Sequence, residues 1–172
     1  ITVALAQSGR SGEALAQARE GMPLALQIRD ELPATGGGIL IGAAIAWFLS
    51  GDFAALDGVI GAIYRTAAEQ GDPFLGVWAH FLARADLARG RLADAERRAS
   101  ESVALLRLHD PGLLLPWALA VLAQIAAQRG EVARARDLIR ELDACPCRLA
   151  SCDAELEVAR AWAEAAVGER SE

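Results

Sequence analysis

The chain has 172 residues, 53% of them hydrophobic, with a net charge of −6 and an isoelectric point near 5.0. That length and apolar content suffice for a continuous buried core and exclude a disordered chain, and the acidic balance argues against a nucleic-acid surface, which would concentrate Lys and Arg on one face. β-Branched and aromatic residues are sparse and all 17 basic residues are arginine, a usage that points to an all-α chain from a GC-rich bacterial genome.

In chain order, helices are expected near 1–8 and 12–31, the first closed by Gly9. Residues 33–51 carry no charge. Gly36, Gly37 and Gly38 read there as a link, since they lack the strand and lysine of a phosphate loop, so the next helix is expected over 38–50 with its partner over 53–70. Asp72 and Pro73 mark a start, the acid capping orphan N–H groups and the proline standing where none is needed. They open the pair 73–89 and 92–108. Asp110 and Pro111 repeat the signal for 112–129 and 132–143, and a last helix is expected near 149–167. Both charge-free stretches, 33–51 and 111–128, are broken by glycines or by Pro116 and Gln124, which makes them buried core helices rather than membrane spans. Ile1 begins mid-helix without a basic leader, and a cytoplasmic location is expected.

One spacing organises these elements. Gly9, Gly51, Gly90, Gly130 and Gly168 lie 42, 39, 40 and 38 residues apart, each closing an apolar helical stretch. Seven residues before the glycine the side chain is small (Thr2, Ala44, Ala83, Ala123, Ala161). Five after it stands Ala14, Leu56, Ala95 or Ala135, and nine after it Ala18, Ile60, Ala99 or Ile139. A fixed period of this size with an apolar stripe on both helices predicts stacked helix pairs, each burying its face against its neighbours. The expected fold is therefore all-α, a right-handed superhelical solenoid of about four pairs with 40-residue repeats. It forms one domain over 1–172, cut within a repeat at both ends.

No catalytic motif is present, so an enzyme is not expected. Cys145, Cys147 and Cys152 form C-P-C-x4-C, but paired spacing and a fourth ligand are missing, and His80 and His109 are distant in sequence. No metal or cofactor is expected, and the thiols read as reduced. Arg84, Arg89, Arg91, Arg97 and Arg98 are interleaved with Asp86, Asp94, Glu96 and Glu101, the pattern of a solvated helix face. What remains is the face that first helices would share in a curved stack: Ile41, Ile45 and Phe48, then His80 and Arg84, then Trp117 and Gln124, then Trp162. Singly, the tryptophans read as packing residues and His80 as a hydrogen-bonded histidine. As a strip, aromatic area with sparse polar groups suits a small-molecule effector, or a protein or peptide partner.

The G-x-[apolar]-x-x-A core, in Gly90-Arg91-Leu92-Ala93-Asp94-Ala95 and Gly130-Glu131-Val132-Ala133-Arg134-Ala135, resembles the tetratricopeptide repeat. The units are longer than the standard 34-residue form and lack its closing proline. Ala- and Arg-rich units of this length look like those of the large ATP-dependent, MalT-like LuxR-type transcriptional regulators of bacteria. That resemblance implies a sensor or scaffold lying between a nucleotide-binding domain and a helix-turn-helix, with DNA contact left to the latter. The alternative from another class is a protein-interaction or self-association module of a different multidomain signalling protein, with homodimerisation as one arrangement.

Overall fold

The structure, a computed structural model, describes residues 1–28, 31–111, 113–146 and 153–168. Nine α-helices and no strand lie among them: α1 (Thr2–Gln7), α2 (Ser11–Ile28), α3 (Pro33–Ser50), α4 (Phe53–Gln70), α5 (Leu75–Ala88), α6 (Leu92–Leu108), α7 (Leu115–Gln128), α8 (Val132–Asp143) and α9 (Asp153–Gly168). The repeating glycines have a common job. Gly90 at φ +72° and Gly130 at φ +71° are left-handed, a backbone that costs any side chain with a Cβ. After each, the next N–H reaches back five residues, from Arg91 to the Asp86 carbonyl at 2.9 Å and from Glu131 to the Ala126 carbonyl at 2.8 Å. This closure satisfies carbonyls a helix end would leave orphaned, and it turns the chain sharply into the next helix.

The chain divides into two compact units, Ile1–Thr66 and Ala67–Glu172. In the first, α1, α2 and α3 pack on one another. Small residues set their closeness: a Cβ on Gly21 of α2 would lie 3.2 Å from Ile39 Cγ2 of α3, and one on Gly42 of α3 would lie 3.6 Å from Thr2 Cβ of α1. Leu40, Ala43, Ala44, Ile45 and Trp47 of α3 are buried, as are Leu56 and Ile60 of α4.

In the second unit α5 packs on α6, α6 on α7 and α7 on α8, while α9 lies mainly against α7 and also meets α8. Residues 76–86 of α5 and 116–127 of α7 are buried without interruption, which explains their near-continuous apolar sequence. By contrast α6 and α8 bury one stripe each, Ala95, Ala99, Ser102, Val103 and Leu106 in the former and Ala135, Leu138 and Leu142 in the latter. A Cβ on Gly76 would stand 3.0 Å from Leu105 Cβ, and Ser102 Oγ donates to the Gly76 carbonyl at 2.7 Å, so α5 and α6 touch backbone to side chain. Across the two pairs, Arg134 meets Glu96 at 2.6 Å and Arg107 meets Glu141 at 2.6 Å. Such half-exposed bridges contribute about 0–1 kcal/mol each and chiefly set register.

Three expectations need correction. Gly36, Gly37 and Gly38 are not a link but lie inside α3; Gly36 N–H bonds the Leu32 carbonyl at 2.9 Å, and Gly36 and Gly37 are buried. Helix α7 starts at Leu115 rather than 112, because Pro116, not Pro111, occupies its first turn. Asp110 still caps it, from a distance: its two carboxylate oxygens accept from the Leu114 and Leu115 N–H groups, both at 2.8 Å. Finally, the arginine-rich stretch is only partly solvated. Arg97 pairs with Asp94 in the open, but Asp86 is 1% exposed and holds both Arg91 and Arg98, because its place on α5 faces the turn and α6. No described helix is long and apolar enough to cross a membrane.

Candidate functional site

Four of the residues singled out by periodicity meet in the second unit. His80 and Arg84 stand one turn apart on α5, and Trp117 and Gln124 two turns apart on α7; the helix period puts each pair on one face. His80 lies 4.9 Å from the Trp117 ring and 5.2 Å from Phe81, and Phe81 meets Trp117 edge-on at 5.9 Å. The Arg84 guanidinium carbon sits 4.3 Å from the Trp117 centroid, within cation–π range. Arg84 and Gln124 are each 4% exposed, and His80 is fully enclosed. Both donate to one carboxylate, Arg84 Nη2 to Glu155 Oε2 at 2.6 Å and Gln124 Nε2 to Glu155 Oε1 at 3.0 Å.

Electrostatics follow from that enclosure. Burial, reinforced by the Arg84 charge, holds the His80 pKa well below its ordinary value of 6.5, so the imidazole is neutral. Neither His80 nitrogen has a hydrogen-bond partner among the described residues, and the same is true of the Trp117 and Trp78 indole N–H groups. His80 is thus not hydrogen-bonded as expected; it packs through its ring faces. The cluster offers a fixed cation, a carboxamide, an indole donor and a neutral imidazole beside aromatic area. That inventory can bind and orient a polar or aromatic group.

Comparison with known families decides what kind of pairs carry this cluster. Residues 78–101 and 116–141 match the tetratricopeptide repeat. No curated protein and no solved structure matches the chain. The two tetratricopeptide-like segments run from α5 into α6 and from α7 into α8, so the repeat region that matches is the one that supplies Trp78, His80, Arg84, Trp117 and Gln124.

The other candidates lie elsewhere. Ile41, Ile45 and Phe48 belong to the first unit; Ile45 is buried, Ile41 is half-buried, and Phe48 packs edge-on against Phe53 with centroids 5.9 Å apart. Trp162 on α9 is 43% exposed and walls a cleft of about 470 Å³ with Leu92, Ala127 and Gly130. A second cleft of about 520 Å³ opens between α8 and α9 over Ile139 and Ala163, rimmed by Arg136, Arg140 and Arg160. Cys145 is half-buried, donates weakly to the Glu141 carbonyl at 3.5 Å, and has its pKa raised by burial and then by the Glu141 and Asp110 charges, so it remains a thiol. Cys147 and Cys152 lie outside the described residues. Among those residues no group of three or more His, Cys, Asp or Glu could hold a metal ion.

Sequence reasoning missed Glu155. A signal for it exists: counted back from the closing glycines, Glu155 stands thirteen before Gly168 as Trp117 stands thirteen before Gly130 and Val77 thirteen before Gly90. An acid in an otherwise apolar column marks a buried partner for a cation.

Proposed function

We propose that this chain is a non-catalytic sensor or scaffold region of a bacterial LuxR-type, MalT-like transcriptional regulator, receiving an effector or protein partner at the centre formed by His80, Arg84, Trp117 and Gln124. The reading takes the tetratricopeptide-like pairs as one right-handed superhelical array of about four, working in the cytoplasm without a cofactor. Ile41, Ile45, Phe48 and Trp162 are its further contact residues. One observation carries it: residues from two different repeats, chosen only by period, converge on a single enclosed polar and aromatic cluster. Tetratricopeptide repeats generally mediate protein–protein interaction, and the two repeats that match supply this cluster.

A ligand shifts resting and active states only through unequal affinity for them. A centre built from both α5 and α7 supports that inequality, since a change in their separation alters the contacts of His80, Phe81 and Arg84 with Trp117. Titrating candidate effectors and partners while reading tryptophan fluorescence, with Trp117→Phe as the control, tests the reading; a Trp117 signal indifferent to the whole panel counts against it. The regulator assignment is tested separately, by looking for a phosphate loop upstream and a helix-turn-helix downstream in the gene.

A self-association module is the second reading, favoured by Val158 and Trp162, which are 45% and 43% exposed one turn apart on α9. Mass in solution that rises with concentration, and falls back in Trp162→Ala, would favour it.

A further inference from the structure

The cleft of about 520 Å³ between α8 and α9 has a filled counterpart one repeat earlier. Counted from the closing glycines, Arg136, Ile139 and Asp143 of α8 take the places of Glu96, Ala99 and Val103 of α6, and Arg160 and Ala163 of α9 take those of Leu122 and Ile125 of α7. Ala99, Val103, Leu122 and Ile125 are buried. There α8 lies alongside, packed on α7 and tied to α6 where Arg134 meets Glu96 at 2.6 Å. The α8–α9 counterpart is open: Ile139 is only half-buried on its floor, and Asp143 and Arg160 pair with each other at 2.6 Å between the two helices.

Charge at this cleft is reversed as well. Arg136 is exposed and has no ion pair among the described residues, whereas Arg140 is held by Asp137, and Arg160 by Asp143 and Glu157. A helix seated over α8 and α9 as α8 is seated over α6 and α7 brings to Arg136 the side chain that stands where Arg134 stands in α8. A basic group is repelled there and an acid accepted. Glu164 on the α9 wall is likewise exposed and unpaired among the described residues, so the occupant is acidic at one place and not all over. Apolar contact with Ile139 and Ala163 supplies affinity, and the rim charge chooses among helices. Tetratricopeptide repeats generally act by binding other proteins, which favours a partner's helix as that occupant.

We infer that the α8–α9 cleft is a docking surface separate from the α5–α7 cluster, and that its occupant is an amphipathic helix of a partner protein whose apolar stripe meets Ile139 and Ala163 and whose acid faces Arg136.

Charge exchange tests it on the 172-residue chain. A labelled peptide of residues 130–143 carrying Arg134→Glu, which keeps the apolar stripe of α8, binds about tenfold tighter than the same peptide with Arg134 retained. Arg136→Glu in the chain, an exposed change that leaves the fold intact, reverses that order, and Ile139→Asp weakens both peptides. Circular dichroism melts report whether each variant folds; should Ile139→Asp not fold, Arg136→Glu carries the test alone. Equal binding of the two peptides, or a preference that Arg136→Glu leaves unchanged, overturns the inference. So does a chain whose mass doubles without peptide and reverts in Arg136→Glu, which puts a second copy in the cleft. Glu172 stands four residues after Gly168 as Arg134 stands four after Gly130. A longer chain from the same gene that binds neither peptide therefore gives the cleft to residues following Gly168 and overturns the partner too.

Discussion

Replacing Asp86 with alanine removes a carboxylate that is 1% exposed and accepts from Arg91 Nε at 2.8 Å and Arg98 Nη1 at 2.7 Å. Breaking a fully buried pair costs about 3–5 kcal/mol. Here the two arginine side chains keep 45% and 25% exposure, so both can turn toward water and escape part of that penalty. The expected loss is then about 2–3 kcal/mol. Asp94, eight residues on in the same arginine-rich stretch, pairs with Arg97 at 3.1 Å in the open, with side chains 55% and 60% exposed. Asp94→Ala is expected to cost under about 0.5 kcal/mol. Urea unfolding followed by circular dichroism, at low and high salt, separates the two: high salt shrinks the Asp94 effect and leaves most of the Asp86 effect, because burial shields a pair from screening. Equal losses for the two variants would refute the argument that Asp86 anchors α5 to the turn and α6.

Other expectations use the same logic. Gly76→Ala forces a Cβ to 3.0 Å from Leu105 Cβ and 3.1 Å from Leu106 Cγ, and is expected to destabilise by about 1–3 kcal/mol despite the helix propensity gained. Gly58→Ala, in α4 with nothing within 4 Å, should instead stabilise by about 0.5–1 kcal/mol; urea midpoints of the two variants moving in the same direction would contradict that contrast. Gly90→Ala places a Cβ at φ +72°, costing about 1–2 kcal/mol, and a melting temperature unchanged from the parent would speak against the closure described. His80 has its folded pKa depressed, so its neutral form stabilises the fold fully above the unfolded value near 6.5 and that contribution is lost as pH falls below it. The loss is about 1.4 kcal/mol per pH unit until the folded pKa is reached. The stability difference between the parent and His80→Phe should therefore change between pH 7.5 and 5, and parallel profiles would disprove it.

The period of the glycines made the pairs legible because each left-handed helix end is a local requirement written in one residue. Gly71 closes α4 in the same way, at φ +67°, yet falls outside that series because it ends a second helix rather than a first. The start of α7 was harder to read, since Asp110 caps from four residues upstream and two prolines compete for the first turn. Residues 83–101 misled for a related reason. Charge pattern reports which residue types alternate, but whether Asp86 faces water depends on where α6 returns, which a one-dimensional pattern does not carry. In the candidate site, His80, Arg84, Trp117 and Gln124 followed from helix phase. Their enclosure did not, because it depends on how α9 packs on α7 and brings Glu155 to Arg84 and Gln124, which helix phase alone does not carry.

Hydrogen exchange on the native chain, with and without the candidate effectors and partners, tests the central claim most directly. The account predicts that a bound effector or partner slows exchange at residues 80–84 of α5 and 117–124 of α7, the two stretches that build the cluster. Exchange there that is unchanged across the whole panel would contradict it.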